Sequence, residues 1–568
     1  MNKATQDIPY QALGRVTTIS YSAAAMIDTI SIVATAVIFA LTVFFLTSSK
    51  DDNGGAPKLL KLPIIGDLHS SPIGKPLQNW DVWSKTKGAI ATANLFGIAP
   101  IVVINTSEAA TELLSKRSAW YSNRPSSVSV EMITGAGPGQ SKFTLMHDMD
   151  DHLRLHHRIL APSLGPIAAP KYQPVMQLEA KQLLVDMLAL LQPSDDKNVV
   201  QSAQVYPLLE RTQASNILAL HYGLRVPTVG SPIYHEIVEI QKKVTHTAAN
   251  PGIPDFIPPV RHLPAVLSPW KRAANKLYEE QTRLYLRLLK HGDEAEGWNA
   301  TKQARTVAAK HAPGGIPDID LAYTLATSIQ GGMETSPRAL LWLFIAAISS
   351  KRDFMSRAHA LLDKVVGRDR LPTFADRPQL AYIDAIVWEL MRWRPISPGS
   401  IPRRADRADE FKTVPIVKNA TVFANAWSIG RDPEAFAPEL GALERFVPER
   451  WLEGERMKED VTAQGELRTS LPLPVFGQGR RSCMGKRVAL DGSFMQVAAL
   501  IWAFDFEPVD EVDDLEMVVV GFMTEPKPFR FRLKPRGDWV RDVVAREYAS
   551  ADKDVCSVLG AVVDIESK

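Results

Sequence analysis

The segment that most restricts what this chain can fold into is Val475–Leu490, VFGQGRRSCMGKRVAL. It contains Cys483, one of only two cysteines in 568 residues; the other is Cys556. Two cysteines cannot form a disulfide framework, which indicates a protein of a reducing compartment. Two arginines closely precede Cys483, and a helix-like run follows it from Gly485. Both features favour the thiolate form of a cysteine, which is the form that binds metals.

Glycines flank Cys483 and would let a flat, bulky group approach the backbone: Gly477, Gly479 and Gly485. No Cys or His stands near Cys483 at the spacing of a zinc site, which argues against tetrahedral zinc. A single thiolate suits haem iron, where one protein sulfur is the axial ligand. The residues alone leave open the alternative of an inert cysteine buried in a loop.

A second informative segment, Asp318–Ser350, is apolar around most of its circumference and predicts a helix buried inside a large domain. Its middle contains Gly331 and Gly332, each costing about 1 kcal/mol relative to Ala in a helix. Polar residues and a proline follow immediately. In one interpretation the helix ends at Gly332, and another begins at Ser336 with Pro337 as its first helical residue. In the other, hydroxyl groups that bond back to helix carbonyls distort one long helix.

The N-terminal region contains an uncharged apolar run, Ile30–Leu46, ISIVATAVIFALTVFFL. At about 1.5 Å per residue the run spans roughly 26 Å, close to the about 30 Å of a bilayer core. Lysines follow the run more closely than basic residues precede it, and this bias places its C-terminal side in the cytoplasm. The alternative is a cleaved signal peptide. We predict five successive parts: an N-terminal segment 1–22, a transmembrane anchor 23–48, a linker 49–62, a catalytic domain 63–540 and a C-terminal tail 541–568.

Within the catalytic domain, the alternation of Ala89–Asn105 predicts a β-hairpin, and residues 107–289 follow a mostly helical pattern. The proline-rich stretch Pro251–Pro269 cannot continue a helix and is predicted to lie on the surface or on a membrane. Residues 291–317 are polar and rich in Ala and Gly, which predicts a flexible insertion. Basic and acidic residues balance, 65 against 63, so the composition indicates no nucleic-acid partner.

Four motifs resemble, in order and spacing, those of the cytochrome P-450 family of haem-thiolate monooxygenases. Phe476–Gly485 matches Phe-x-x-Gly-x-Arg-x-Cys-x-Gly, the haem-binding loop of that family. Gly331–Thr335 resembles the oxygen-activation motif of the long central helix. Glu389–Arg392 resembles the ExxR pair, and Phe446–Trp451 the segment whose arginine completes that pair. The match runs from about Pro57 to Pro535.

The resemblance implies a mainly α fold with small β-sheets (α+β), the cytochrome P-450 fold. It implies a haem (heme) cofactor whose iron is ligated by the Cys483 thiolate. Glu334 and Thr335 would organise proton delivery. The resemblance also implies a buried structural triad of Glu389, Arg392 and Arg450. By spacing alone, the first two of these would form a solvated surface pair.

The resemblance implies further contacts with the haem from Phe476, Gly479 and Gly485 in the loop. The haem propionates need cations, for which Arg481 is the first candidate and Arg404 the second. The Trp-x-x-x-Arg common in the family is absent from DDHLRLHHRIL, Asp150–Leu160. We expect Arg154 to serve in its place. The open alternatives are His156, His157 and Arg158, and all four residues also fit a solvated helix face.

The segments RSAWYSNRP (Arg117–Pro125) and DFIPPVRHLPAVLSPWKR (Asp255–Arg272) resemble the O-methylsterigmatocystin oxidoreductase-like branch of fungal microsomal members. Many members of that branch tailor secondary metabolites. This implies a single-pass enzyme of the endoplasmic reticulum membrane, with the lipid bilayer as a partner and a cytosolic catalytic domain. It would use O2, and electrons from an NADPH-dependent flavoprotein reductase, to oxidise an apolar small-molecule substrate.

Two alternatives to this function stay open. The first is an isomerase or dehydratase of the same fold that does not use O2, and the intact Glu334–Thr335 pair argues against it. The second is a haem sensor or electron carrier. An electron carrier is expected to saturate its iron with two protein ligands, and Met484, next to Cys483, cannot reach the opposite haem face.

Overall fold

The computed structural model describes Val82, Lys85 and residues 88–560, except 96–98, 138, 192–197, 251, 257, 350–352 and 454–465. These residues belong to one compact unit, Leu62–Lys568. The predicted transmembrane anchor, residues 23–48, lies outside the described residues. Within the described part of the chain, no helix combines the length and the apolarity that a membrane crossing requires.

Helices make up most of the described chain, which confirms the mainly α class. A π-helical turn, Thr111–Lys116, directly follows the first of them. The α-helices are α1 (Ser107–Ala110), α2 (Val128–Ile133), α3 (Asp151–Leu164), α4 (Ala169–Ala189), α5 (Ser202–Tyr222), α6 (Pro232–Ala249), α7 (Ile253–Phe256), α8 (Pro269–Glu294), α9 (Ala300–His311), α10 (Asp318–Gly332), α11 (Thr335–Ser349), α12 (Asp353–Val365), α13 (Ala381–Trp393), α14 (Ala426–Ile429), α15 (Lys486–Ala503), α16 (Trp539–Ala549) and α17 (Val555–Leu559).

The strands form small sheets. They are β1 (Ile90–Leu95), β2 (Ala99–Ile104), β3 (Val199–Gln201), β4 (Arg403–Arg404), β5 (Asp409–Phe411), β6 (Val414–Ile416), β7 (Thr421–Ala424), β8 (Phe504–Pro508), β9 (Met517–Val520), β10 (Met523–Pro526) and β11 (Arg530–Pro535). One sheet has the order β1-β2-β7-β4, with β2 and β7 parallel, and another the order β3-β11-β8. Two hairpins, β5-β6 and β9-β10, stand apart from them.

The predicted hairpin over Ala89–Asn105 is confirmed. Strands β1 and β2 pair antiparallel, with Ile90 opposite Ile104. The residues that connect them, 96–98, lie outside the described part of the chain. Val102, Val103 and Ile104 of β2 are all buried, and because successive side chains point to opposite faces, both faces of this strand are covered.

The main core lies around α11, α13 and α15. Helix α11 is buried at every position from Ser336 to Ile348, which explains why its sequence is apolar on all sides. Trp342 of α11 and Trp393 of α13 meet edge-on with ring centroids 6.2 Å apart. Helix α15 is buried from Leu490 onward. The helix that follows Cys483 is therefore anchored in the main core from Leu490 onward.

The central apolar segment is a helical path with one distorted turn. Helix α10 ends at Gly332 and α11 begins at Thr335, yet Met333 keeps a right-handed helical conformation. Helical hydrogen bonds approach the break from both sides: the N–H of Met333 donates to Ile329, and that of Arg338 donates to Glu334. Pro337 lacks the N–H that would bond across the break. The distorted-helix interpretation is confirmed, because Gly332 does not adopt the left-handed conformation of a helix-ending glycine.

The prediction of a flexible insertion over residues 291–317 is wrong. Helix α8 continues to Glu294, and α9 occupies residues 300–311. The side chain of Asn299 caps α9 by accepting from the N–H of Lys302 at 3.0 Å, and Trp298 before it is fully buried. The buried face of α9 consists largely of small alanines. A composition rich in Ala and Gly therefore suggested a flexible segment, although the alanines of this segment pack in a helix.

The described part of the proline-rich stretch, residues 252–256 and 258–269, lies on the surface, as predicted for Pro251–Pro269. It is built from the short helix α7 and two 3-10 turns. Val266 is 84% exposed and Leu267 is 70% exposed.

The predicted C-terminal tail, residues 541–568, forms the greater part of α16 and all of α17. Val544 of α16 and Leu559 of α17 are buried. The described part of this segment is thus packed into the fold.

Candidate active site

The loop before α15 closes on itself around Cys483. The backbone N–H of Cys483 donates to the carbonyl of Phe476 at 2.8 Å, and Gly485 is the N-cap residue immediately before α15. Gly477 and Gly479 adopt φ values of +64° and +62°, which other residues rarely accept. These contacts bring both ends of the motif together and direct Cys483 toward the N-terminus of α15.

The expected reason for Gly479 needs correction. A Cβ atom there would lie 1.9 Å from the carbonyl oxygen of Leu114, so this glycine allows close packing of two backbones. It does not leave room for a bound group. A Cβ at Gly485 would lie 3.9 Å from the Cys483 sulfur, which is an ordinary contact.

The Cys483 side chain is accessible, although protein surrounds it on most sides. Burial raises the pKa of its thiol, while the N–H of Gly485 and the charge of Lys486 act in the opposite direction. An exposed residue whose thiol is nevertheless desolvated is expected to line a concave part of the surface. Arg481, which was expected to favour the thiolate, is turned toward three backbone carbonyls instead.

The distorted turn between α10 and α11 leaves open space beside one glycine. A Cβ at Gly331 would meet nothing within 4 Å, whereas one at Gly332 would lie 2.3 Å from the side chain of Ile217. The hydroxyl of Thr335 donates to the carbonyl of Gly331 at 2.7 Å, the back-bonding expected from the sequence. Glu334 is buried and accepts from the side chain of Arg338 at 3.2 Å. Thr335 and Glu334 are therefore adjacent in the chain but differ in burial: Glu334 is buried, whereas Thr335 is half-buried.

Buried arginines cluster beside the Cys483 loop. Arg481 donates to the carbonyl of Ser122 at 2.6 Å, and Arg124 donates to that of Leu145 at 2.7 Å. Arg403 donates to the carbonyl of Gln478, which belongs to the loop. None of these three arginines forms a described ion pair. Their side chains bond to neutral carbonyls, so their positive charges are only partly compensated.

The pKa values of the three arginines are lowered mainly by burial, which Asp148 only partly offsets for Arg124 and Arg481. Burial lowers the pKa of Arg481 to about 10. Burial and the charge of Arg481 lower the pKa of Arg403 to about 10. The pKa of Arg124 is lowered well below its ordinary value by burial and by both neighbours. Arg404, the second sequence candidate, lies nearby but forms an ion pair of 2.8 Å with Asp148.

The expectation for Arg154 needs correction. It lies on the exposed side of α3 and pairs with Asp151, one turn before it, because that helix face is turned to solvent. His157, one of the open alternatives, faces the cluster. Burial, followed by the charges of Arg481 and Arg124, lowers its pKa to about 4. His156 is buried against Thr324 of α10, and Arg158 is exposed.

The residues Glu389, Arg392 and Arg450 come together in the core. Arg392 binds both carboxylate oxygens of Glu389 at 2.8 Å, and the Nε atom of Arg450 lies 3.1 Å from one of them. The N–H of Val447 and the indole N–H of Trp451 also donate to Glu389, each at 2.9 Å. Arg392 further reaches the carbonyls of Gly430 and Leu443. The group thus ties α13 to the segments before the Cys483 loop.

The sequence profile of the family Cytochrome P450 matches residues 57–533. The chain belongs to the cytochrome P450 family. It is 30% identical over 508 residues to cytochrome P450 monooxygenase aneD of Aspergillus aculeatus, covering 88% of this chain and 92% of the relative. It is 28% identical over 509 residues to cytochrome P450 monooxygenase FrzL of Cladobotryum, covering 88% and 91%.

The fold of this cytochrome P450 resembles that of a zebra fish cytochrome P450 whose structure was determined with progesterone. The TM-score is 0.65 at 23% identity, covering 81% of this chain and 99% of the other. This likeness shows the fold. Family membership makes the chain a haem-dependent monooxygenase, with haem iron ligated by a cysteine thiolate.

The residues present fit a haem. The accessible sulfur of Cys483 offers the one thiolate that haem iron requires, and the open space at Gly331 admits a bulky group. The partly compensated arginines suit a ligand that carries carboxylates. Sequence reasoning missed Arg124 and Arg403. A signal existed for both, because Arg403 precedes the named Arg404 and Arg124 belongs to the segment that resembles the fungal branch.

Proposed function

We propose that this cytochrome P450 is a membrane-anchored fungal monooxygenase that inserts one oxygen atom of O2 into an apolar secondary metabolite. The observation that carries the proposal is that Cys483 is accessible although the surrounding protein desolvates its thiol. When bound, the haem supplies the iron at which O2 is reduced, and thiolate ligation favours cleavage of the O–O bond.

Each site residue has a task in this proposal. Cys483 binds the iron, and the main-chain bond to Phe476 keeps the loop in place. Arg481, Arg124 and Arg403 bind the two propionates, which would compensate their charges. The triad around Glu389 supports the loop from behind.

Thr335 and Glu334 supply protons in this proposal. The hydroxyl of Thr335 is half-buried beside the open space at Gly331, so it can pass a proton to a group bound there. Glu334 is the acid behind it, held by Arg338 and by the hydroxyl of Thr245 at 3.4 Å. A proton supply is useful to a reaction that reduces O2, and an isomerase or dehydratase would not need it.

Residues 23–48 would anchor the enzyme in the endoplasmic reticulum membrane, with the catalytic domain in the cytosol. The exposed Val266 and Leu267 support a second contact of the catalytic domain with the bilayer. Arg272, which donates to the carbonyl of Val266 at 2.7 Å, adds a cation beside them that suits lipid headgroups. The double variant Val266→Ser, Leu267→Ser is expected to bind phospholipid vesicles more weakly when the anchor is removed. Unchanged binding would contradict this contact.

Electrons would come from an NADPH-dependent flavoprotein reductase. Two exposed cations of the Cys483 loop and the start of α15, Arg480 and Lys486, suit an acidic partner, whereas Arg487 beside them is already paired with Asp491 at 3.0 Å. Reduction by the reductase should therefore slow as ionic strength rises.

The function is tested with a substrate found by screening apolar metabolites for a shift of the Soret band. Turnover with reductase, NADPH and oxygen-18 gas should add one labelled atom to the product. Formation of the same product without O2 would contradict the proposal and would favour an isomerase or dehydratase.

A further inference from the structure

Arg338 is shared between two carboxylates from different parts of the fold. It lies in the first turn of α11, where one terminal nitrogen is 3.2 Å from Glu334. The other terminal nitrogen bonds to Glu525 of β10. Arg338 and Glu334 are both buried, and the Nε atom of Arg338 has no hydrogen-bond partner among the described residues. The arginine therefore divides its donors and pairs fully with neither carboxylate.

The geometry of guanidinium makes this division significant. An arginine binds a single carboxylate most strongly through two parallel N–H donors. Because Arg338 gives one donor to each side, any gain in its contact with Glu525 weakens its contact with Glu334. A displacement of the hairpin β9-β10, which carries Glu525, would therefore change the contact between Arg338 and Glu334.

The surroundings of Arg338 contain more carboxyl groups than cations. The ring of Tyr206 lies 5.0 Å below the guanidinium and excludes water from one side. Tyr206 also donates to Glu210 at 3.0 Å, and Tyr234 donates to the same carboxyl at 2.7 Å. Burial raises the pKa of Glu210, and the nearby charge of Glu334 adds to this effect. Arg338 is thus the cation that contacts Glu334 within the described residues.

The hairpin that carries Glu525 borders the same region. Strand β10 packs on α11, and β9 touches α6, which contributes Thr245 to Glu334. Val518 and Val519 of β9 are exposed, at 38% and 53%. The hairpin β9-β10 therefore has exposed residues on β9 and, through Glu525 of β10, contacts the arginine that binds the buried Glu334.

We propose that Arg338 is a positioning residue for Glu334, and that Glu525 sets how strongly Arg338 stabilises the ionised form of that acid. The effect of Arg338 on catalysis rests on the proposed function, in which Glu334 is the proton donor. The ionisation of Glu334 itself is a separate property and can be measured without turnover.

Infrared difference spectroscopy of the full-length, haem-loaded protein tests the proposal. The carboxyl band that titrates in the wild type and is lost in Glu334→Gln belongs to Glu334. In Arg338→Gln the midpoint of this band should rise by about one to three pH units, because the stabilising cation is gone. In Glu525→Gln it should fall, because a like charge is removed and Arg338 can pair fully with Glu334. Arg338→Lys should lie between the wild type and Arg338→Gln.

The matched control is Glu516→Gln. Glu516 also lies next to the hairpin, but it pairs with the half-exposed Lys527 at 3.0 Å. Its replacement should leave the midpoint unchanged. Shifts of opposite sign in Arg338→Gln and Glu525→Gln would establish the positioning role, since a general loss of packing would move both in one direction. Equal shifts, or no shift in either, would overturn it. If Arg338→Gln does not fold, the sign of the Glu525→Gln shift decides alone.

A turnover measurement separates this inference from the proposed function. In Glu334→Gln, more hydrogen peroxide should be released per NADPH consumed, because protons arrive more slowly. An unchanged ratio would contradict the proposed role of Glu334 in catalysis. The infrared midpoints would still decide whether Arg338 and Glu525 control its charge.

Discussion

Replacing Glu389 by Gln should destabilise this cytochrome P450 more than any exposed charge replacement. The carboxylate is fully buried and accepts bonds from Arg392, Arg450, Val447 and Trp451. Glutamine keeps the shape but leaves two buried guanidinium groups without a negative partner. Removing one partner of such a group costs about 3–5 kcal/mol. That is a large part of the about 5–15 kcal/mol that stabilises a typical protein.

Denaturant unfolding followed by tryptophan fluorescence and far-ultraviolet circular dichroism measures this cost. The control is Glu294→Gln, which breaks an exposed pair with Lys290 of 3.7 Å and should change the unfolding free energy by less than about 0.5 kcal/mol. If Glu389→Gln costs no more than this control, the triad does not stabilise the fold as argued.

The contribution of Glu389 to the unfolding free energy should also depend on pH. Burial alone raises its pKa, but the charges of Arg392 and Arg450 and the N–H of Val447 together hold the pKa below its ordinary value of 4.5. A lowered folded-state pKa contributes stability above the unfolded-state value, and this contribution is lost as the pH falls through the folded-state value. The difference between wild type and Glu389→Gln should therefore narrow below about pH 4.5. A difference that grows in acid would contradict the reasoning.

Three further predictions concern the loop and the helices around it. Arg481→Gln should release haem at least about tenfold faster to apomyoglobin, because a charge-assisted contact is worth about 1.5–3 kcal/mol; Arg154→Gln, which alters an exposed pair, should not. Gly479→Ala should abolish haem incorporation, because its Cβ would overlap the carbonyl of Leu114. Gly367→Ala, with a positive φ but open space around it, should cost only about 1–2 kcal/mol of unfolding free energy. Asn299→Ala should cost about 1 kcal/mol in the same assay, because α9 loses its cap, and no change would show that this region does not contribute to stability.

The sequence predicted best what depends on local spacing. The Cys483 loop is closed by the bond to Phe476, seven residues earlier, and its glycines mark left-handed turns. The distortion between α10 and α11 follows from Thr335 and Pro337, which act on the turn that contains them. Such features can be read from adjacent residues because the interacting groups lie in one short segment.

Contacts between distant segments could not be predicted in this way. Arg481 and Ser122 are separated by 359 positions, and Arg124 and Pro402 by 278. The place of Arg154 in the motif predicts a contact with the haem, but the rotation of α3 is set by packing and turns His157 inward instead. The sequence does not reveal the buried face of α9, because alanine contributes little to an apolar pattern.

The spectrum of the reduced protein with carbon monoxide shows directly whether the sulfur of Cys483 ligates the haem iron. The wild type should show the red-shifted Soret band of thiolate-ligated iron. A Cys483→Ala variant should lose this band while retaining far-ultraviolet circular dichroism close to the wild type, and Cys556→Ala should keep it. If Cys483→Ala retains the band, the iron is held elsewhere and the assignment of the site is wrong.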